Sequence, residues 1–122
     1  MSVTPTSLAS NTVLITDTTA QDIVPAASIP ADRSIVLHGY TAINVTAAET
    51  PVIQLETSAP VALVDQCQPG DPAVATVVNE SGVVRVTFSP PIVLPAGLGL
   101  TGAAVSAVGD VTVTARFNTQ QD

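Results

Sequence analysis

The chain has 122 residues and a mass of 12.3 kDa, with 46% hydrophobic and 11% charged residues, which fits one folded domain and excludes an intrinsically disordered chain. Ten acids against three arginines (Arg33, Arg85 and Arg116) and no lysine give a formal charge of −7, a balance that repels phosphate backbones and anionic headgroups and argues against nucleic acid and membrane partners. One Cys, one His, one Tyr, two Phe and no Trp leave few groups for nucleophilic, metal or stacking chemistry, so composition argues against an enzyme.

Residues 1–11 are rich in Ser, Thr and Pro and contain neither the basic nor the apolar region of a signal peptide. They are expected to begin the mature chain and to form an N-terminal arm that orders only against a partner or not at all. Beyond them, Val and Thr dominate, and β-branched side chains suit a pleated surface better than a helix. Strands are predicted over 12–17, 22–26, 34–45, 52–56, 61–65, 73–78, 83–88 and 111–117, separated by turn formers at 30–32, 47–51, 58–60 and 69–72. The Glu80-Ser81-Gly82 turn is expected to join 73–78 and 83–88 as a hairpin. The clearest strand is the last, where Val111, Val113, Ala115 and Phe117 alternate with Thr112, Thr114 and Arg116. Residues 103–108, bracketed by Gly102 and Gly109, read as a loop or short strand, and 118–122 as a polar C-terminal tail. The expected fold is all-β: a single antiparallel sandwich or jelly roll of eight to ten short strands over 12–117.

Several motifs have plainer explanations. Gly97-Leu98-Gly99-Leu100-Thr101-Gly102 matches G-x-G-x-x-G, but a dinucleotide site needs a helix after the glycines and a second parallel strand, and neither follows. Glycines at a tight bend beside a packed neighbour account for it. His38 and Cys67 fall short of the three or four ligands of a zinc site, and Asp65, Asp71 and Glu80 lack calcium-loop spacing. No cofactor is expected. Asn44-Val45-Thr46 and Asn79-Glu80-Ser81 match the glycosylation acceptor pattern, which carries little weight without a secretion signal. The stretch 91–108 nears membrane-spanning length, but its prolines and glycines would leave backbone groups unsatisfied in lipid.

The charge pattern is more informative. Residues 86–109 carry no ionisable side chain, and between Arg33 and Glu49 only His38 and Tyr40 titrate. Interface cores are depleted of charge, so part of these segments is expected to face another subunit, against the alternative of ordinary uncharged loops. The expected contact residues are Val3, Thr4, Pro5 and Leu8 in the arm, and Pro90, Pro91, Ile92, Leu94, Leu98 and Leu100 in the neutral stretch.

The succession Asp22-Ile23-Val24-Pro25-Ala26, Gly39-Tyr40-Thr41-Ala42-Ile43-Asn44, Phe88-Ser89-Pro90-Pro91-Ile92, Gly97-Leu98-Gly99-Leu100 and Gly109-Asp110-Val111-Thr112-Val113 resembles the small decoration, or cement, proteins on the capsids of tailed bacteriophages. The resemblance covers most of the chain. It implies a homo-oligomer, most often a trimer, seated on the outer capsid surface and clamping neighbouring copies of the major capsid protein. It brings no catalytic residues. Similar domains occur in phage tail fibres, and the alternative is a tail-fibre or adhesin-like module binding host-surface carbohydrate, which requires an exposed Tyr40 in a polar groove. A small hydrolase is the third reading, and no positioned nucleophile and base support it.

Overall fold

In a computed structural model, residues 7–70, 82–105 and 109–121 are described. Eight strands are present among them: β1 (Ala9–Ile15), β2 (Gln21–Val24), β3 (Arg33–Asn44), β4 (Ile53–Thr57), β5 (Leu63–Cys67), β6 (Val83–Val93), β7 (Leu100–Ala104) and β8 (Val111–Gln121), with one turn of 3-10 helix at Ala26–Ser28. They form two four-stranded antiparallel sheets, a long sheet in the order β1-β8-β3-β6 and a short sheet in the order β2-β7-β4-β5. The expected all-β sandwich is therefore what the chain forms. The predicted strand 73–78 and its hairpin turn lie outside the described residues.

The strand boundaries differ from expectation at both ends. Ala9, Ser10 and Asn11, assigned to the arm, open β1 and pair with Phe117, Arg116 and Ala115. Residues 118–121, assigned to a polar tail, continue β8 and pair with β3 back to Arg33. Polar strand ends show no hydrophobic alternation, but a ladder hydrogen bond needs only backbone, so composition could not mark them.

The core lies between the sheets. Val111, Val113, Ala115 and Phe117 point inward as the alternation predicts, with Ile15, Ile35, Leu37, Tyr40 and Ala42 beside them and Ile23, Ile53, Leu55, Leu100 and Ala104 facing them from the short sheet. Val84, Val86 and Phe88 of β6 pack against this cluster. Opposite β8, strand β3 carries one extra residue: Leu37 pairs with Phe117 and Gly39 with Arg116, leaving His38 over. Opposite β3, strand β6 spends Phe88, Ser89, Pro90 and Pro91 on the same interval, between Thr87 and Ile92. At this bulge a Cβ on Gly39 would collide with the Val86 carbonyl oxygen and come within 2.6 Å of Arg116 Nη2.

The G-x-G-x-x-G run serves packing. Gly97 has φ +77° and donates its N–H to the Arg33 carbonyl at 2.8 Å, turning the chain toward β7. At Gly99, a Cβ would strike the Val24 carbonyl oxygen and the Ala26 nitrogen, so the backbone of β2 and that of the approach to β7 meet only because the side chain is missing. The segment then enters an antiparallel strand, not the helix a pyrophosphate site needs.

Two substitutions measure this packing in urea unfolding. Leu55→Ala, which empties a fully buried site, is expected to lower stability by about 2–5 kcal/mol. Gly99→Ala is expected to lower the midpoint as well, since backbone rather than a side-chain tip must move.

Candidate functional site

Two places collect side chains with chemistry: a polar cluster between the sheets, and the outer face of the long sheet. The cluster is built from β3 and β5. Tyr40 points inward from β3 and is fully buried, and its ring tilts against Phe88 with centroids 6.1 Å apart. Asp65 and Cys67 sit two apart on β5 and so share a face. The Tyr40 hydroxyl donates to Asp65 Oδ2 at 2.7 Å, which ties the two sheets together. Burial, then the bond to Asp65, then the neighbouring Cys67 hold the Tyr40 phenol far above its ordinary pKa. Burial likewise raises the Cys67 thiol, opposed by its hydrogen bond with the Tyr40 hydroxyl and aided by the Asp65 charge.

A phenol and a thiol both held protonated are poor nucleophiles. The Tyr40–Asp65 bond makes this cluster a fastening between the two sheets. Fully buried, Tyr40 also offers no platform to a sugar ring, which removes the feature on which the carbohydrate-binding alternative depended.

The other residues singled out in the sequence fall as follows. His38 lies on the long sheet and its Nε2 bonds Asn118 Oδ1 at 2.7 Å, whereas Cys67 is on the short sheet. Among the described residues, no group of three or more His, Cys, Asp or Glu is placed to hold a metal ion. Asp71 and Glu80 lie outside those residues, as does Asn79. Asn44 is 2% exposed, and its amide is occupied: Nδ2 donates to the carbonyls of Glu49 and Gly70 at 2.6 and 3.1 Å, while Oδ1 accepts from Thr46 N–H at 2.9 Å. The glycosylation pattern there is a loop staple.

Of the expected contact residues, Val3, Thr4 and Pro5 lie outside the described residues. Leu8 is 62% exposed, Pro90 is exposed at the bulge of β6, and Pro91, Ile92 and Leu98 are half-buried. Leu94 and Leu100 are corrections. Both are buried in this chain's own core: the Leu94 N–H donates to the Ile35 carbonyl at 2.9 Å, and Leu100 opens β7 between Val24 and Thr57. The neutrality of 86–109 thus comes in part from the interior, and that of 34–44 from the position of β3 between β8 and β6.

The outer face of the long sheet was not anticipated. Register sets Leu14, Thr112, Ile43 and Val83 in one row across all four strands, and Thr12, Thr114, Thr41 and Arg85 in the next. Leu14 is 49% exposed and Ile43 39% exposed. Arg116 lies in the third row, donating to Thr41 Oγ1 at 3.1 Å and to the Val86 carbonyl at 2.9 Å. The signal was available in apolar residues on both parities of 12–15 and 42–45, but rows appear only once register is known.

No family model matches the sequence, and no curated protein matches it. Among solved structures, the crystal structure of the Yersinia pseudotuberculosis-derived mitogen (YPM) is similar over 89% of this chain and 84% of that one, with 9% identity and a TM-score of 0.44. At those values the likeness carries no functional conclusion.

The single tyrosine makes the cluster directly measurable. No tyrosinate absorbance is expected while the fold is intact, since burial holds the Tyr40 phenol far above its ordinary range. Groups whose pKa is raised on folding contribute stability that is whole below their unfolded pKa and lost above it. Stability is therefore expected to decline from about pH 9 as unfolded Cys67 ionises, and more steeply from about pH 10 through Tyr40, by about 1.4 kcal/mol per pH unit for each proton. In Tyr40→Phe the second, steeper part should disappear, and stability at pH 7 should fall by about 1.5–3 kcal/mol for a bond to a charged acceptor.

Proposed function

We propose that the chain is a non-enzymatic structural protein of a virion: a capsid decoration protein that seats on the outer surface of the major capsid protein lattice and acts together with copies of itself. The observation that supports this reading most is the outer face of the long sheet, a surface of threonines and exposed aliphatic side chains on four strands that, among the described residues, carry no acid. On a chain of formal charge −7, such a face is where a protein surface meets the least charge and desolvation cost.

The remaining features agree with that role. A net acidic protein is repelled by a packaged genome and suits the shell's exterior. Binding the assembled lattice and not its dissociated subunits stabilises the shell by mass action, by about 2.7 kcal/mol per site at a free concentration 100 times the dissociation constant. Many weak contacts on a repeating lattice add through effective concentration. Neither a catalytic residue nor a cofactor is required.

Co-sedimentation with capsids of the phage that encodes the chain tests the reading. The protein is expected to pellet with capsids up to a fixed copy number and to raise the temperature at which they release DNA. Protein that stays in the supernatant at every ratio would refute the assignment.

A further inference from the structure

Among the described residues each sheet has two outermost strands, β1 and β6 in the long sheet and β2 and β5 in the short one. Three of the four carry features that keep another strand from pairing alongside. β6 leaves its register between Thr87 and Ile92 through Pro90 and Pro91, β2 is four residues long with a register shift beside Asp22, and β5 shifts register opposite Leu55 and Glu56 and turns Asp65 inward. β1 has none of them. Its residues Ala9–Ile15 hold one unbroken register with β8 and include no charge and no proline. Its apolar side chains are also incompletely covered: Leu14 is 49% exposed, Leu8 just ahead of the strand is 62% exposed, and the inward-facing Val13 is only half-buried. Leu8 and Leu14 share a parity but stand about 20 Å apart along an extended chain, so neither shelters the other within one copy.

We infer that two copies of this chain join through β1, antiparallel about a two-fold axis at Asn11, so that their long sheets become one continuous sheet. The side chains select the register. With Asn11 opposite its own counterpart, Leu8 of each copy stands opposite Leu14 of the other and Ser10 opposite Thr12 on the outer face, while Ala9 stands opposite Val13 on the inner face. Apolar meets apolar and hydroxyl meets hydroxyl at every pair. At the axis, Asn11 Nδ2 spends one N–H on the Ile23 carbonyl at 3.0 Å, and its other N–H and its Oδ1 suit the same amide of the second copy. The occupant is a second copy because the strand is self-complementary: it brings no charge to oppose in a like pairing, and its own sequence covers both exposed leucines. The contact is isologous and closes at two copies, since the opposite edge of the sheet is interrupted in β6. Its ladder is about 24 Å long and, with sheets packed about 10 Å apart, about 10 Å deep. That is well under the roughly 800 Å² per partner of a stable interface, so the contact is weak between free copies and strengthens where a lattice holds them side by side. It supplies the self-association contained in the reading above, on which its role at a shell rests, and it leaves the outer face of the long sheet open to that shell.

Exchanging the leucine pair for charges tests the register. At about 1 mM protein and about 0.15 M salt, where the net charge of each copy is screened beyond about 8 Å, sedimentation of the full chain should give a mean mass at least about 1.5-fold that of the monomer. Leu8→Lys alone and Leu14→Glu alone should each weaken the association at least about tenfold, because a charge then faces a leucine twice in every dimer. The double variant, Leu8→Lys with Leu14→Glu, should recover it, since every charge then faces its opposite in the other copy. Within one copy the two sites are too far apart to compensate. Leu8→Glu with Leu14→Lys repeats the comparison if circular dichroism shows a variant unfolded. A wild-type chain that stays monomeric, a mass that rises past two copies, or a double variant no better than the single ones would overturn the inference. A monomer that still pelleted with capsids would leave attachment to the shell standing and remove the strand contact, and a dimer with this charge pattern that ignored capsids would do the reverse.

Discussion

One extra residue in β3 decides which side chains of the long sheet enter the core. Along β8 the inward set stays on odd positions from Val111 to Phe117, but on β3 it passes from Ile35 and Leu37 to Tyr40 and Ala42. His38 absorbs the change of parity. Without the bulge, half of β3 would turn its apolar side chains to water, because a one-residue shift reverses every side chain beyond it. Since β3 is paired on both edges, it cannot slip alone. The bulge also explains the company it keeps: the backbone comes too close at Gly39 for any side chain, and the Arg116 guanidinium crosses there to reach the Val86 carbonyl. A histidine-glycine pair in one strand and an arginine in another thus form a single structural device.

How much of this could be read from the sequence follows from how strands record burial. Residues 111–117 declare themselves because one face is core and the other solvent, and the segment 34–45 because β-branched and aromatic residues fill it between turn formers. Ser10, Asn11 and Asn118 to Gln121 gave no such signal; their place in the sheet depends on backbone pairing with partners more than a hundred residues away for the first two and more than eighty for the others. Leu94 and Leu100 expose a different limit. Absence of charge marks a residue hidden from water, and an interior and an interface hide it equally well. Conversely, Leu14, Ile43 and Val83 stand in apolar runs that do not tell inside from outside, and only the register that lines them up places them on the outer face.

The polar groups inside the sandwich are few and each has a counterpart. Among the described residues, no buried side-chain nitrogen or oxygen lacks a hydrogen-bond partner. Tyr40 with Asp65 joins the two sheets on the side where β5 and β6 form their edges, and Asn44 gathers the loops carrying Glu49 and Gly70. Both use a side chain from β3 as the fixed point. The strand that sets the parity of the long sheet therefore also anchors the short sheet and the loops at its end.

The detour of β6 through Ser89, Pro90 and Pro91 bears on how neighbours can approach. Among the described residues β6 is an outermost strand, a position where an uninterrupted backbone offers a template for another strand to pair alongside and extend the sheet sideways. Two successive residues without an N–H, set on a kink four residues long, break that template. Sideways growth, the route toward fibrous aggregates, is thereby discouraged along this stretch of β6.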